Sequence, residues 1–458
     1  MSRAAGIIFA LLLLAVASGC GDVYRPIALP IPLPPPNPAA VHVVAALSAN
    51  GALDDGSMGR IDVSGDSVAS IFRTGIAPVH AAFTANAAKL YVANSGEDTI
   101  SVSSGSNPTS ATSINLLQFC DAGGCAASNP VFVHTTENAK MYVANFGNGT
   151  VSVINTNSDV VVNTVAVDPS QPLPNRSVHP VALAETPDGF KLYVVNQGNG
   201  TVSSISTVDD TVLKVIGVGP SPVWAVARAD NARVYVLDSS GTISVIDTFS
   251  DTVISSSASA GAGANYFFYD RVLNRLYVTN PSAGTLSIFD VSSDPPALRG
   301  SPIAIPTAAS SPCASAPLPS AVTVLGDASR AYVASYQNDA AGICTQVSVI
   351  DAAAGVVTNT ISLTSQTPVA ASAQTGCSSA RFRTFVTSSG GGTNTNFKVY
   401  VSQCDAGNVA VIDTFPVSNG PDPHGADVVM ATIDAPLSTF PGQPLPPPQN
   451  PVFLVAGP

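Results

Sequence analysis

Short apolar runs recur along this chain, each broken by a cluster of Gly, Asn, Ser or Asp, and the runs come in matched pairs. The clearest pairs are YVANSGEDTISV from Tyr91, YVANFGNGTVSVI from Tyr142, YVVNQGNGTVSSI from Tyr193 and YVLDSSGTISVID from Tyr235. YVTNPSAGTLSIFD from Tyr277, YVASYQNDAAGICTQVSVID from Tyr332 and YVSQCDAGNVAVID from Tyr400 continue the series. A β-rich run, a Gly/Asn turn and a second β-rich run form the pattern of a β-hairpin. The Tyr-to-Tyr spacings are 51, 51, 42, 42, 55 and 68 residues. A period of roughly 40–50 residues built from several short strands predicts propeller blades rather than a helical solenoid.

A whole blade reads from 179 to 220: HPVALAETPDGFK, LYVVNQG, GTVSSIST and DTVLKVIGVGPSP are four strands separated by turn signals, A to D from the axis outward. Asn148-Gly149 and Asn199-Gly200 are expected to supply the positive φ values of tight hairpins. Asp247, Asp290, Asp351 and Asp413 recur after strand C, a placement that points to turn capping rather than catalysis. Before Tyr91 an eighth unit holds VHVVAALSA, GRIDVS and SVASIFRTG, which read as strands B, C and D with no strand A before them. Pro451 to Ala456, a short apolar strand, is expected to supply the missing one, closing the ring and covering a sheet edge. The fold expected is therefore an all-β propeller of four-stranded blades over 41–458, with eight blades by repeat count and seven as the alternative.

Composition fits this reading. Apolar residues make up 45% and charged residues 10%, with 36 Gly and 37 Pro, as in a turn-rich protein whose strands are mostly buried. A net charge of −12 leaves no basic stripe for a nucleic acid, so none is expected as a partner. No stretch after residue 20 is long and apolar enough to cross a bilayer as a helix.

Residues 1–19 have the form of a signal peptide, with Arg3 ahead of the apolar run Gly6 to Val16. Ala17-Ser18-Gly19-Cys20 then resembles the lipobox of bacterial lipoproteins, although Ala17 replaces the usual leucine. The resemblance implies lipidation at Cys20, and Gly21 in place of aspartate implies sorting to the outer membrane. The other reading is an ordinary signal peptide with a chance cysteine. Residues 20–40, which include PIALPIPLPPPNP, read as a semi-rigid polyproline tether.

Setting Cys20 aside leaves Cys120, Cys125, Cys313, Cys344, Cys377 and Cys404, an even set that suggests disulfides in an exported protein. Cys344 and Cys404 fall in the B–C loops of two blades, and Cys313 and Cys377 just before strand A of the same blades. These loop classes emerge on one face, so Cys313–Cys344 and Cys377–Cys404 are the natural pairs, with Cys120–Cys125 closing a small ring on that face. A metal site is the rival reading, but the spacing is not that of a zinc knuckle.

Tyr277-Val278-Thr279-Asn280 is the signature of the YVTN β-propeller repeat family, and the pattern around it runs over about 370 residues from Pro78. The chain therefore resembles that family. The resemblance implies a surface-layer or cell-envelope protein, with lactonase-like hydrolases and quinone- or cytochrome-linked enzymes among related propellers.

Residues with catalytic patterning are sparse. There is no C-x-x-C-H for haem, the five histidines are scattered, and neither a nucleophile elbow nor a phosphate loop is present. No cofactor or metal is expected. One constellation stands out: His80, Phe132, Trp224 and Tyr266 occupy equivalent places early in strand A, with Ala182 between them and Arg383 near the same level. They are expected either to ring a ligand mouth on the disulfide face or simply to pack between blades. The function expected is a lipid-anchored, non-enzymatic envelope scaffold binding a protein or glycan through its loop-rich face. The alternative is a periplasmic lactonase-like or quinoprotein-like enzyme.

Overall fold

In the computed structural model the described residues are 43–457, apart from 50–54, 105–106, 137, 365–366, 371–376, 379, 390–397, 415–426 and 435–449. The proposed signal peptide, Cys20 and the tether lie outside them. Among the described residues eight antiparallel sheets form the blades, seven of them four-stranded, and a ninth sheet is a two-stranded hairpin outside them. In blade 6 the outer strand is broken into Ala297–Leu298 and Ile303–Ala304. Blades 2 to 8 span 78–115, 130–166, 180–217, 222–259, 266–304, 318–362 and 386–434. Blade 1 takes strands B, C and D from Val43–Ser48, Asp55–Asp62 and Ser67–Ile76, and strand A from Pro451–Ala456. Val44 lies opposite Ala456 and Leu47 opposite Phe453, so the terminal segment completes an antiparallel ladder as expected. Each innermost strand packs beside those of its two neighbours, and Pro451–Ala456 sits between those of blades 8 and 2. The ring has eight blades and is closed.

The repeated tyrosine explains why consecutive blades adhere. Tyr91, Tyr142, Tyr193, Tyr235, Tyr277, Tyr332 and Tyr400 are all fully buried. Tyr142 Oη donates to Asp210 Oδ1 at 2.7 Å, and Lys140, two residues earlier on the same strand, donates to both carboxylate oxygens at 2.9 Å. Asp210 belongs to the C–D turn of the next blade. The same grip joins Lys89 and Tyr91 to Asp159, Lys191 and Tyr193 to Asp251, Arg330 and Tyr332 to Asp427, and Lys398 and Tyr400 to Asp66. Each of these five aspartates sits at positive φ, between 47° and 57°, which Asp tolerates better than most residues. Three junctions differ. Blade 1 meets blade 2 through Arg60, which donates to Ser103 O at 3.3 Å. Arg233 takes Asp294 at 2.7 Å, while Tyr235 Oη donates to Val291 O at 3.4 Å and accepts from Arg228 at 3.3 Å, and Arg275 donates to the carbonyl of Ala352. A hydrogen bond to a charged acceptor contributes about 1.5–3 kcal/mol, so the repeated grip is a main source of ring cohesion.

The asparagine of the repeat works within a blade. Asn145 Nδ2 donates to Thr150 and Ser152 hydroxyls at 2.8 Å, zipping strand B to strand C, and Asn94 and Asn196 do the same. The B–C turns differ in one detail from expectation. In the Asn148-Gly149 and Asn199-Gly200 turns the glycine alone takes positive φ, 71° and 69°, and a Cβ on either glycine would meet a carbonyl at 2.5–2.6 Å. Asn148 instead uses its side chain, donating to Leu117 O and Ser128 Oγ and accepting from Thr150. The aspartates after strand C do cap turns: Asp247 accepts from the amides of Phe249 and Ser250, and Asp351 from those of Ala353 and Ala354.

All three disulfides pair as expected: Cys120–Cys125, Cys313–Cys344 and Cys377–Cys404. Cys344 is not in a loop, however. Strand B of blade 7 runs on to Asp339 and strand C starts at Gly342, so Cys344 lies in the ladder opposite Gln337. Cys120 and Cys125 face each other across a separate hairpin, Phe119–Asp121 with Gly124–Ala126, and both are exposed.

Candidate functional site

Strand A opens with a proline in five consecutive blades, 1 to 5, and its register slips just after it, between Pro451 and Phe453, Pro78 and His80, Pro130 and Phe132, Pro180 and Ala182, and Pro222 and Trp224. That irregularity turns the second residue after the proline toward the neighbouring blade at the mouth of the central channel. His80 stacks on Phe132 with ring centroids 3.8 Å apart, Phe132 meets Trp224 at 5.5 Å, and Trp224 meets Tyr266 at 4.8 Å. Tyr266 continues to Phe385 at 5.7 Å, Phe385 to Phe453 at 4.6 Å, and Phe453 back to His80 at 4.5 Å. The aromatic circuit is complete. Phe382 fills it, lying 5.5 Å from Tyr266, 4.9 Å from Phe385, 6.2 Å from Trp224 and 6.5 Å from Phe453.

Four of the residues singled out from sequence thus come together; three are buried, Phe132 and Tyr266 at 7% exposure and Trp224 at 9%, and His80 is half-buried. Arg383 does not join them. Its guanidinium forms a two-point pair with Asp405 at 2.6 and 2.8 Å and leans over Tyr336, because the intervening Phe382 takes the inward position. The cation at the mouth is Arg381, whose guanidinium lies 4.7 Å from the Trp224 ring and 5.6 Å from that of Phe382. It donates across the channel to the carbonyls of Val181 and Val223, which belong to blades 4 and 5. The Arg381 side chain itself stays open to solvent. Burial, with Arg381 and His134 adding repulsion, lowers the pKa of His80 to about 3, so the imidazole is neutral. The segment bearing Arg381 and Phe382 is tied down by the Cys377–Cys404 disulfide and by Asn450, whose amide donates to Cys404 O at 2.6 Å.

Phe453, Phe382, Phe385 and Arg381 were missed from sequence. Phe453 obeys the rule that found the others, standing two residues after Pro451. The alternation Arg381-Phe382-Arg383-Thr384-Phe385 was the signal for the rest, but with no proline in that strand the register could not be set.

Farther along the same strands, His134 Nε2 lies 2.9 Å from Glu185 Oε2, joining blades 3 and 4. The other carboxylate oxygen, Glu185 Oε1, is buried with no hydrogen-bond partner. Among the described residues, no group of three or more His, Cys, Asp and Glu side chains is placed to hold a metal ion.

Residues 67–215 match a family model described as lactonase, 7-bladed β-propeller, a stretch running from strand D of blade 1 into strand D of blade 4. No curated protein matches this sequence. Among solved structures, the chain is similar to apo AztD from Citrobacter koseri, with 12% identity and a TM-score of 0.57 over 92% of this chain and 99% of that one. It is also similar to dihydro-heme d1 dehydrogenase NirN in complex with DHE, with 10% identity and a TM-score of 0.58 over 92% of this chain and 77% of that one. At these identities the likeness is one of fold. What the fold and the comparisons define is the class: an eight-bladed β-propeller of which one stretch has lactonase-like sequence.

Proposed function

We propose that this chain is a lipid-anchored envelope propeller of the YVTN-repeat kind, held in the outer membrane through Cys20. In this reading it is a non-enzymatic scaffold that binds a protein or glycan through the face carrying its D–A and B–C loops. The observation that carries this reading is the bracing of that face. Two buried disulfides underlie it, and the Cys120–Cys125 hairpin stands on it, pinned where Arg176 meets Asp121 at 2.8 Å. Loops already ordered lose little entropy on binding. Phe382 and its neighbours fill the mouth where a small ligand would enter a propeller channel, which favours a ligand held on the surface.

The test is retention of envelope proteins and glycans from a detergent extract by the immobilised full chain. Leu117→Asp combined with Arg176→Glu, on the braced face, should abolish retention, while Val272→Asp on the opposite face should preserve it. Equal retention by all three proteins would overturn the reading.

A second reading, a lactone-hydrolysing enzyme, is favoured by the family-model match over 67–215. Within that stretch the pair suited to proton transfer is His134 with Glu185, a partly exposed imidazole held by a carboxylate. Acid release from a panel of lactones, lost in His134→Gln, would support it. No turnover by the wild-type chain would remove it.

A further inference from the structure

The two faces of the propeller differ in the apolar side chains they offer to solvent. Phe249 is 97% exposed, Val208 73% and Phe190 61%, and all three lie in A–B or C–D turns of blades 4 and 5. Val272 adds to the same face from the A–B turn of blade 6. Among the described residues, the large apolar side chain exposed in a loop of the opposite face is Leu117. The three are neighbours, not scattered. Thr207 N donates to Phe190 O, which sets Val208 beside Phe190. Lys191 Nζ donates to Thr248 O, which brings the turn carrying Phe249 against the strand that follows Phe190. The outer strands also expose single Val, Leu and Ile side chains, but a contiguous apolar patch that includes two phenylalanines in turns marks an interaction surface.

We propose that this patch docks on a lipid bilayer, Phe249, Phe190 and Val208 entering the interface beneath blades 4 and 5. The choice of a bilayer rests on the lipid-anchor reading above and on where the chain enters the ring. Val43 begins strand B of blade 1, and strand B begins on the face that carries the A–B turns. The segment between Cys20 and Val43, at about 3.1 Å per residue when extended, would reach about 70 Å, enough to let that face meet the membrane. The electrostatics of the patch suit a lipid surface. Lys140 and Lys191 are neutralised by Asp210 and Asp251. Asp188 holds Thr186 and the Phe190 amide, and Asp209 holds Thr211, within their own turns. Lys214 Nζ reaches Ser250 O at 3.3 Å, beside Phe249, where a lipid phosphate would be met. Apolar insertion is then the main force, and a second attachment of this sort would reinforce an acyl anchor.

The test uses the full chain mixed with vesicles of phosphatidylethanolamine and phosphatidylglycerol carrying brominated acyl chains. Trp224→Phe provides a tryptophan-free background, into which Phe249→Trp or Leu117→Trp places a single reporter. Docking predicts strong quenching at position 249, none at position 117, and little relief by salt. Phe190→Ser with Val208→Ser should weaken the quenching at least about tenfold in lipid concentration. Absence of quenching at 249, or equal quenching at both positions, overturns the proposal. Acylation is read separately by labelling with a fatty-acid precursor. An unlabelled chain that is still quenched at 249 defeats the anchor alone, and a labelled chain that is not quenched defeats the docking alone.

Discussion

Tyr193 Oη donates a 2.6 Å hydrogen bond to Asp251 Oδ1, linking blade 4 to a turn of blade 5, and Lys191 binds the other oxygen of the same carboxylate at 2.8 Å. Ser204 Oγ reaches that second oxygen as well, at 3.0 Å. A buried carboxylate held by three donors is costly to disturb. Tyr193→Phe should therefore destabilise the ring by about 1.5–3 kcal/mol in urea unfolding. Tyr277 occupies the equivalent place in blade 6, but its buried hydroxyl meets no carboxylate and has the Arg275 guanidinium as its polar neighbour. Tyr277→Phe should be close to neutral. Equal costs at both positions would show that ring packing, and not the carboxylate grip, is what the tyrosine contributes.

Phe453 joins the closing strand to the aromatic circuit through His80, Phe385 and Phe382. Phe453→Ala should cost about 3–5 kcal/mol, as expected for a truncated core aromatic. Deleting 451–458 should do worse, since strand B of blade 1 would become an open edge prone to pairing with other chains. Thermal melts with light scattering would record both effects, and an unchanged melt on deletion would mean that the seven complete blades close without this strand.

Trp224 is the sole tryptophan, so its emission reports the channel mouth directly. Packed among Phe132, Tyr266 and Phe382 it should emit to the blue of an exposed indole. Trp224→Ala should cost about 3–5 kcal/mol. Arg381→Ala, which removes the guanidinium over the ring, should shift the emission to the red with a far smaller loss of stability. Red-shifted emission in the wild-type chain would mean that the mouth stands open in solution.

His80 gives the fold an acid-sensitive component. Its folded pKa of about 3 lies below the ordinary 6.5, so the unfolded chain binds the proton first as pH falls. The stabilisation is complete above pH 6.5 and is lost progressively between there and pH 3, by up to about 1.4 kcal/mol per pH unit. Comparing unfolding free energies of wild type and His80→Phe across that window should show a shallower slope in the variant. Identical slopes would mean that His80 takes up its proton in the folded ring.

Exposure separates the disulfides. Cys313, Cys344, Cys377 and Cys404 are at most 3% exposed, whereas Cys120 and Cys125 are open to solvent. A mild thiol reductant followed by alkylation should label Cys120 and Cys125 first, with little change in melting temperature because the ring they close is small. Labelling of Cys377 under native conditions would show that the segment carrying Arg381 and Phe382 opens readily.

The blades, their number and the origin of the eighth strand A were legible because strand alternation and turn chemistry repeat with every copy. The disulfides followed from the same frame once each cysteine could be assigned to a loop class. The junctions were less legible. Asp159, Asp210 and Asp251 look like ordinary turn residues, and only the folded ring shows that each faces a tyrosine nearly seventy residues earlier or closer. Arg383 was placed at the channel and Arg381 was overlooked because a shift of two residues decides which side chain turns inward. Local pattern does not fix register in a strand as short as Val386–Ser388.

Closure by Pro451–Ala456 also has a mechanical meaning. Every blade is joined to the next by the chain itself, so the ring's one non-covalent joint lies inside blade 1, between strands A and B. A pull on the preceding segment would enter at Val43 and run along a strand bonded to Pro451–Ala456 on one side and to Asp55–Asp62 on the other. Both ladders would be loaded along their length, all their bonds sharing the force at once, instead of parting one after another like a zip. A propeller hung by that segment would bear its load where two strands grip a third.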